Sequence, residues 1–521
     1  MTLTPQADSR LTRSERSSGP SVIIIGSGFS GLCAAIRLKQ AGVGAITVLE
    51  KAGALGGTWR DNDYPGCACD VQSHLYSFSF EPNPGWSRMF AEQREIRAYL
   101  ERCAQKYDLY PHLRFNAEVT AARYDDALGT WTVTLAGGEE LTADIMIVAT
   151  GGLSRPAYPD IPGLERFAGK VFHSSRWDHD YDLGDKRVGV IGTGASSIQF
   201  VPQIAAQVKR LNLFQRTPPW ILPKPDRAIS RVEHRLFRVF PFLQWLYRIT
   251  LYWLLELRVL GFVVNPKLMT YVQRFAERYL EESIPDPALR RRLTPNYTIG
   301  CKRVLISNDY YSAFLRPNVT LVDTGIREIE HDAVITRDGQ RVEVDALILG
   351  TGFRAADSCS PFPVSGRNGV DLNEHWKDGA EAYLGTTVAG FPNFFILCGP
   401  NTGLGHSSLV LMIEAQVKHT VGAIRAMLKR GARWIEVSKD VERRYNERLQ
   451  ARLQRSVWTS GCASWYRARN GKITTLWPHF TFVFRLMTRR VREADYTFGP
   501  AAEAVPLLPP ARRPSVEQVS A

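Results

Sequence analysis

Several features are missing from this sequence, and each absence narrows what the protein can be. No window reaches the roughly 18 uncharged apolar residues that a membrane-spanning helix needs, and residues 1–20 lack the apolar core of a signal peptide. Residues 1–20 are instead predicted to form a disordered leader, and the proline-rich residues 500–521 a disordered tail. The basic residues behind the net charge of +13 are spread along the chain without a nucleic-acid motif, so nucleic acid is not predicted as a partner.

Paired cysteine motifs are also missing. The eight cysteines include one C-x-C, at Cys67 and Cys69, but no C-x-x-C and no metal-ligand spacing. The others are Cys33, Cys103, Cys301, Cys359, Cys398 and Cys462. This pattern is typical of free thiols in a reducing cytoplasm, and it predicts no metal site.

The composition itself is that of an ordinary globular protein. The chain has 521 residues, of which 44% are hydrophobic and 22% charged. A chain of this length predicts an enzyme of roughly two to four domains. Nothing in the sequence predicts its oligomeric state.

Residues 237–264 are largely apolar and aromatic, but polar side chains interrupt them. Gln244, Arg248, Tyr252 and Glu256 fall four apart, which predicts a helix with one narrow polar stripe and a wide apolar surface. We expect that surface to be buried against the protein or to line a substrate tunnel. Peripheral contact with a bilayer is the alternative.

A complete strand, glycine turn, helix and second strand begin at residue 21. The turn residues are Gly26, Ser27, Gly28, Phe29, Ser30 and Gly31. In this G-x-G-x-x-G pattern the first glycine permits a tight turn, the second lets the backbone approach a pyrophosphate, and the third lets helix and strand pack closely. Glu50 ends the second strand, where a carboxylate accepts hydrogen bonds from ribose hydroxyls.

A second unit of the same kind begins at residue 186. Its turn residues are Gly192, Thr193, Gly194, Ala195, Ser196 and Ser197, so a serine takes the third small position. Its second strand ends in Arg216 and Thr217 where the first unit has Glu50. A cation and a hydroxyl suit a ribose 2′-phosphate, which a carboxylate would repel. We therefore predict FAD at the first unit and NADPH at the second.

These patterns predict an α/β fold with two Rossmann-like dinucleotide-binding domains. The NADPH domain is predicted to be inserted in the FAD domain and to carry a mainly helical insertion of its own. The predicted ranges are 21–155 and 331–499 for the FAD domain, 156–222 and 296–330 for the NADPH domain, and 223–295 for the helical insertion.

One motif between the two units is far more specific than a glycine turn. Phe167, Gly169, His173, Trp177 and Asp178 fill every fixed position of F-x-G-x-x-x-H-x-x-x-W-[P/D]. By this motif the chain resembles the class B flavoprotein monooxygenases, and within them the Baeyer-Villiger type. Taken alone, the histidine and tryptophan could be an ordinary core pair. Because the motif joins the two nucleotide units, we expect it to fix their relative geometry rather than to transfer protons.

Two further segments carry the resemblance. Gly57-x-Trp59 followed by Asp70 is similar to a second family motif, and Lys302-Arg303 is similar to a family segment near both nucleotides. The resemblance implies that Lys302 meets the NADPH 2′-phosphate, that Arg303 is the active-site cation, and that Asp70 orients it. A surface Lys-Arg pair is the alternative.

The resemblance implies the remaining contacts as well. Further FAD-binding candidates are Lys51, Thr58, Tyr76, Val119 and Gly151. A helix that starts near Ser408 is expected to point its N-terminus at the flavin ring. Trp465, Tyr466 and Trp477 are expected to contact NADP or substrate, or to belong to the core.

The activity implied is the insertion of one oxygen atom of O₂ next to a ketone carbonyl, through a C4a-peroxyflavin, to give an ester or lactone. The partners are thus a small carbonyl compound and O₂. An N- or S-oxygenating flavin monooxygenase is the alternative; it would carry Tyr or Phe where Trp177 stands. A disulfide or electron-transfer reductase is less favoured, because Cys67-x-Cys69 is not its usual dithiol pair. A non-catalytic flavin protein on a membrane is the third alternative.

Overall fold

The computed structural model describes residues 19–354, 360–462, 464–468 and 470–500, so that the predicted leader and tail lie almost wholly outside the described residues, as does Cys359. The strands are β1 Val22–Ile25, β2 Ile46–Leu49, β3 Leu113–Arg114, β4 Val119–Asp125, β5 Thr130–Leu135, β6 Glu140–Ala143, β7 Ile145–Val148, β8 Lys170–His173, β9 Arg187–Ile191, β10 Arg210–Phe214, β11 Ile221–Leu222, β12 Leu305–Ile306, β13 Val319–Val322, β14 Ile326–Ile329, β15 Ala333–Thr336, β16 Arg341–Glu343, β17 Ala346–Leu349, β18 Val364–Ser365, β19 Phe394–Ile396, β20 Ile435–Val437 and β21 Tyr496–Phe498. The α-helices are α1 Phe29–Gln40, α2 Thr58–Asp61, α3 Gln93–Lys106, α4 Ser197–Ile204, α5 Arg231–Val239, α6 Pro241–Glu256, α7 Met269–Ser283, α8 Pro287–Leu293, α9 Tyr310–Ala313, α10 Leu372–His375, α11 Leu409–Lys429, α12 Lys439–Leu453 and α13 Thr481–Thr488.

The first nucleotide unit is built on a five-stranded parallel sheet in the order β19-β7-β1-β2-β3. Its central strand β1 is buried along its whole length, which explains the unbroken apolar run in the sequence. A smaller sheet, β18-β4-β5-β6, packs on one face of it through a common apolar core. The parallel order brings the carboxyl ends of β1, β2 and β7 to one edge, where a ligand binds in open α/β sheets.

The second unit has its own five-stranded parallel sheet, in the order β13-β10-β9-β17-β8. The predicted α/β fold with two Rossmann-like units is thus confirmed. The predicted return to the FAD domain at residue 331 is wrong, because β17 pairs with β8 and β9 of the second sheet. The chain rejoins the first sheet only with β19, next to β7. An apolar strand such as ALIL does not reveal which of two similar sheets it joins.

Helices α5 to α8 lie between β11 and β12 and occupy the predicted helical insertion. Helix α6 carries the predicted polar stripe, but the expected burial of its apolar side is wrong. Gln244, Tyr252 and Glu256 are buried, whereas Phe242 and Trp245 are exposed. Among the described residues no single helix is long and apolar enough to cross a membrane. Residues 241–264 and 266–283 together have the length and composition of a membrane span, but the chain bends by 113° between them.

Candidate nucleotide and oxygenation sites

The first glycine turn has the close packing that its sequence predicts. Gly26 has φ +107°, and a Cβ at Gly31 would lie 1.8 Å from the Gly26 carbonyl oxygen, so only glycine fits there. A Cβ at Gly28 would meet nothing nearer than Gly57, at 3.6 Å. The space beside Gly28 is therefore open at the N-terminus of α1, which has no capping side chain. This is the arrangement that a pyrophosphate requires.

Glu50 is buried and rigidly held at the end of β2. Its Oε2 accepts hydrogen bonds from the Ser27 N–H at 3.0 Å and the Ser27 hydroxyl at 2.7 Å, which ties it to the glycine turn. Its Oε1 accepts from Arg60 at 2.8 Å. Sequence reasoning missed Arg60, because nothing in the loop GGTWR indicates which carboxylate its arginine meets.

An aromatic group borders the same turn. The Trp59 indole N–H donates to the Tyr76 hydroxyl at 3.2 Å, and the Tyr76 ring meets the Phe29 ring edge-on at 5.1 Å between centroids. Gly57, one residue before Thr58, has φ +54° and would place a Cβ only 3.0 Å from Gly28. The structure thus brings the predicted residues 57–59 and Tyr76 to the first turn.

The other predicted FAD residues lie around the same sheet edge. Lys51 is exposed directly after Glu50, and Val119 starts β4. Gly151 follows β7 with φ +66° and open space on its Cβ side. The Ser30 hydroxyl instead lies 3.2 Å from the Cys398 sulfur.

The second turn shows why a serine replaces its third glycine. Gly192 has φ +111°, and a Cβ there would lie 2.4 Å from the Gly350 carbonyl oxygen. A Cβ at Gly350 would lie only 2.1 Å from the buried Ser197 hydroxyl oxygen, so a side chain at residue 350 would collide with that serine. A glycine on the facing strand end therefore makes room for the serine. Gly194 has only Gly350 near its Cβ position, at 4.0 Å, and Thr193 donates to the Thr217 carbonyl at 2.9 Å.

Two predicted cations converge at the end of β10. Burial lowers the pKa of Lys302, and the nearby Arg216 charge lowers it further. Arg216 is exposed and lines an open cavity of about 560 Å³. The other lining residues are Gln215, Thr217, Pro218, Ala288, Arg291, Arg292, Thr294, Asn296 and Asp323. Asp323 is paired with Arg292 at 2.7 Å, so the cavity retains positive charge for a phosphate. Sequence reasoning missed Arg291, which reaches this cavity from the helical insertion.

Arg303 and Asp70 form an ion pair, as the resemblance implies. The Arg303 Nε donates to Asp70 Oδ2 at 2.9 Å, and Nη2 donates to the same oxygen at 2.5 Å. The Asp70 charge raises the pKa of Arg303 further above its already high value. Burial raises the pKa of Asp70, but the Arg303 charge outweighs burial and the pKa is lowered overall. The Arg303 side chain nevertheless stays 35% exposed.

Tyr466 lies beside this pair. Burial raises the pKa of its phenol to about 12, while the neighbouring Arg303 charge opposes the rise. The phenol therefore keeps its proton at neutral pH. Trp477 is buried in the core, whereas Trp465 is half exposed.

The fingerprint residues pack within the second unit. His173 is buried, and its two ring nitrogens lie 2.9 Å from the Ser175 hydroxyl and 3.0 Å from the Gly352 carbonyl oxygen. Burial lowers its pKa, so that it is neutral. The Trp177 ring packs on Phe200 of α4 at 5.3 Å. With both imidazole nitrogens occupied, His173 has the geometry of a positioning residue.

The remaining fingerprint residues serve the fold around them. Phe167 is buried, and a Cβ at Gly169 would lie 2.4 Å from the Asp345 carbonyl oxygen. Asp178 pairs with Lys170 at 2.5 Å. Helix α11 starts at Leu409 with Ser408 as its N-cap, as predicted.

The prediction of free thiols is wrong for two cysteines. Cys301 and Cys462 form a disulfide, although 161 positions separate them in the sequence and neither belongs to a paired motif. The free thiols of Cys67 and Cys69 are buried, and burial raises the pKa of Cys67 to about 12 and that of Cys69 higher still. Such thiols are poor nucleophiles, so the dithiol-reductase alternative loses its candidate pair. Among the described residues no cluster of His, Cys, Asp and Glu could hold a metal ion.

The donor sets fit the two nucleotides that the sequence predicts. The first unit has an open glycine turn and a buried carboxylate, which suit a pyrophosphate and a ribose diol. The second has an open turn and paired cations, which suit a pyrophosphate and a 2′-phosphate.

Known proteins resemble this chain in sequence. The profile of the flavin-binding monooxygenase-like family matches residues 19–362. A Pseudomonas aeruginosa protein named Baeyer-Villiger monooxygenase is 54% identical over 91% of this chain and 90% of its own length. A Streptomyces coelicolor protein of the same name is 50% identical over 91% of this chain and 92% of its own length.

Solved structures resemble the whole fold. An oxidized steroid monooxygenase bound to NADP has a TM-score of 0.83 and 31% identity, covering 92% of this chain and 99% of its own. Cyclohexanone monooxygenase from Rhodococcus sp. Phi1 bound to NADP⁺ has a TM-score of 0.83 and 28% identity, covering 93% of this chain and 100% of its own.

Proposed function

This chain belongs to the flavin-binding monooxygenase-like family, and on that premise we propose that Arg303, held by Asp70, is the group that acts on the substrate carbonyl. The protein is an NADPH-consuming, FAD-dependent monooxygenase of the Baeyer-Villiger type. It inserts one oxygen atom of O₂ next to a ketone carbonyl to give an ester or lactone. Trp177, where the N- and S-oxygenating relatives would carry Tyr or Phe, supports this over the alternative activity.

The observation that carries the proposal is an arginine that is both held and accessible. Asp70 takes the Nε–Nη2 edge of the Arg303 guanidinium, yet about a third of the side chain remains exposed. Exposed ion pairs such as Arg292 with Asp323 share this two-bond geometry, but Arg303 also has the buried phenol of Tyr466 beside it. A purely structural arginine would be covered. The geometry therefore favours a binding or catalytic role over the alternative of a surface Lys-Arg pair.

Each nucleotide has its own set of candidate residues. The first turn, Glu50 and the aromatic group around Trp59 would hold FAD, and the second turn with Arg216, Thr217 and Lys302 would hold NADPH. Reduced FAD, when bound, supplies the activated dioxygen. The protein must supply the positioning and the electrostatics.

Arg303 is suited to stabilise negative charge on oxygen. Its guanidinium keeps its protons at any physiological pH, so it offers hydrogen bonds to an oxyanion without becoming an acid that would waste the activated oxygen. Asp70 is ionised because of the same pair, and it fixes the guanidinium plane. A donor that is oriented before the reaction needs no reorganisation in the transition state.

We also propose that the enzyme works in the cytoplasm, where NADPH is supplied. The free-thiol argument for that compartment no longer holds, since Cys301 and Cys462 are paired. Use of NADPH is the remaining support.

Substitution of Arg303 tests the proposed role. Arg303→Met keeps side-chain length but removes the charge, so ester yield per NADPH should fall about 10² to 10³-fold, the usual loss of one oxyanion donor. NADPH oxidation should persist as hydrogen peroxide release, and Asp70→Asn should show a milder loss of the same kind.

Product chromatography and a peroxide assay measure both outcomes across a panel of linear, cyclic and aryl ketones. Arg123→Met, which removes an exposed arginine on β4, is the matched control and should keep full coupling. Full ester yield from the Arg303→Met protein would refute the role of Arg303.

A further inference from the structure

Helix α6 is amphipathic, but its polar side faces the protein and its apolar side faces outward. Its polar stripe faces the protein, where Arg248 donates to the His74 carbonyl at 2.6 Å and Gln244 donates to the Asn83 carbonyl at 2.8 Å. At the other end the buried Glu256 accepts from the Thr481 N–H at 2.9 Å. These three bonds fix the rotation of the helix about its axis, and they turn its apolar side away from the protein.

The outward side of α6 and the residues on either side of the helix form a continuous set of large apolar side chains. We call this set the insertion face; it comprises Phe240, Phe242, Trp245, Leu246, Trp253 and Leu257. Phe242 is 63% exposed, Trp245 60% and Trp253 51%. The spacing of three and four residues places them along one side of the helix.

The insertion face extends onto the neighbouring helix α13. The Trp253 ring meets the Phe482 ring of α13 at 6.0 Å, and Leu486 follows one turn later with high exposure. On α7, Tyr271 and Phe275 are also exposed and lie four apart. Large contiguous apolar patches are rare on monomeric proteins and mark a surface that is covered by something.

Exposed cations outnumber exposed carboxylates around the insertion face. Residues 231–278 contain six exposed cations besides Arg258, namely Arg231, Arg235, Arg238, Lys267, Arg274 and Arg278. The same range has three carboxylates: Glu233 pairs with Arg227, Glu256 is buried, and Glu277 accepts from Gln273 and keeps its charge. Glu281 and Glu282 follow, exposed, at the end of α7. The rim therefore favours a negatively charged partner.

This charge pattern decides between the candidate occupants. A second copy of the chain would bring the same cations together across a two-fold axis, which costs binding energy. An anionic lipid surface offers both an apolar layer and a negative charge, and Trp and Tyr are the side chains that settle at its interface. The inward hydrogen bonds of α6 hold the helix against the protein, so it would lie on a bilayer rather than cross it.

We propose that the insertion face binds the surface of an anionic bilayer, with its aromatic side chains in the interfacial layer and the surrounding cations on the lipid headgroups. The binding depends on both parts. Removing apolar side chains weakens it at every salt concentration, whereas removing cations weakens it chiefly at low salt.

Flotation of the FAD-loaded enzyme with lipid vesicles tests the proposal. Vesicles of phosphatidylcholine with about one third phosphatidylglycerol should carry the protein at roughly 0.1 M salt, and pure phosphatidylcholine vesicles should carry much less. In the double variant Phe242→Ser/Trp245→Ser the partition coefficient should fall at least about tenfold. Arg235→Glu/Arg238→Glu should lose most of the preference for the anionic vesicles.

The matched control removes two equally exposed apolar side chains elsewhere. Leu128 and Leu315 are 62% and 55% exposed, and Leu128→Ser/Leu315→Ser should bind like the wild type. FAD content and thermal melting verify that every variant is folded. A second test uses only the wild-type protein: lipids with brominated chains should quench its tryptophan fluorescence.

Three results would overturn the proposal. These are a wild-type protein that stays out of the anionic vesicles, a Phe242→Ser/Trp245→Ser variant that floats like the control, and a dimer in size-exclusion chromatography that this variant abolishes. The last result would show that a second copy covers the face. None of them depends on oxygenation activity.

Discussion

Arg216 stands at the position where the first nucleotide unit has Glu50, and this single exchange separates the two sites. Arg216→Ala should raise the KM for NADPH by roughly one to two orders of magnitude, since a charge-assisted phosphate contact contributes about 1.5 to 3 kcal/mol. The KM for NADH should change little, because NADH lacks the 2′-phosphate. Steady-state kinetics with both coenzymes measures this.

The control for that prediction is Arg210→Ala, which removes an exposed arginine at the opposite end of the same strand β10. It should leave both KM values unchanged. Equal losses with NADPH and NADH in Arg216→Ala would show that Arg216 does not read the phosphate.

Glu442 gives the molecule a pH-dependent stability. Burial raises the pKa of this carboxyl to about 8, and its Oε2 accepts from the Ala389 N–H at 3.0 Å. Below pH 4.5 the side chain is protonated in both the folded and the unfolded chain. Between there and about pH 8 only the unfolded chain ionises, so stability falls by about 1.4 kcal/mol per pH unit at most.

Urea unfolding of Glu442→Gln, which keeps a carbonyl acceptor for Ala389, should therefore lack this fall. Relative to the wild type, the variant should gain stability steadily from pH 5 to pH 8. A constant difference across that range would mean that Glu442 is ionised in the folded protein.

Among single residues, the sequence predicts those that lie at a fixed offset from a glycine turn. It does not predict contacts between residues that are far apart in the sequence. The offset from a glycine turn predicts Glu50 and Arg216. No such offset predicts that Arg60 meets Glu50, or that Gly350 makes room for Ser197, since those contacts depend on how separate strand ends meet.

For helices and strands, too, the sequence predicts some features and not others. Strand and helix periodicity predict both nucleotide units, and the resemblance implies the start of α11, but neither predicts the sheet to which β17 belongs. For α6 the period predicts a polar stripe without saying which side faces the protein. We expected the apolar side to be inside, because most surface helices are arranged that way, and here the polar side is inside.

The disulfide joins two elements next to the candidate site. Cys301 directly precedes Lys302 and Arg303, and Cys462 lies just before the segment with Tyr466. Cys462→Ser should lower the free energy of unfolding by about 2 to 5 kcal/mol, because a cross-link over a long loop restricts the unfolded chain. Urea unfolding with and without a phosphine reductant measures this.

The reductant should destabilise the wild type to the level of the variant and should leave Cys462→Ser itself unchanged. A wild type that unfolds identically with and without reductant would mean that the two thiols are not linked in the protein as isolated.

For the whole molecule, the relative position of the two nucleotide units decides what chemistry is possible. One contact between them is the Tyr64 hydroxyl, which donates to Gln199 of α4 at 2.9 Å. Arg176, which lies within the fingerprint segment, adds an ion pair with Asp61 of the first unit at 3.6 Å. His173 and Trp177 themselves contact Gly352 and Phe200, which belong to the second unit. That the motif fixes the relative position of the two units therefore stays a prediction.

The central claim is that this protein transfers an oxygen atom from O₂ to a ketone. The most direct measurement is mass spectrometry of the product formed with NADPH under ¹⁸O₂ from a panel of linear, cyclic and aryl ketones. The account predicts an ester or lactone that gains one ¹⁸O atom, and no label when ¹⁸O is supplied as water. Absence of a labelled ester or lactone from every ketone in the panel would contradict it.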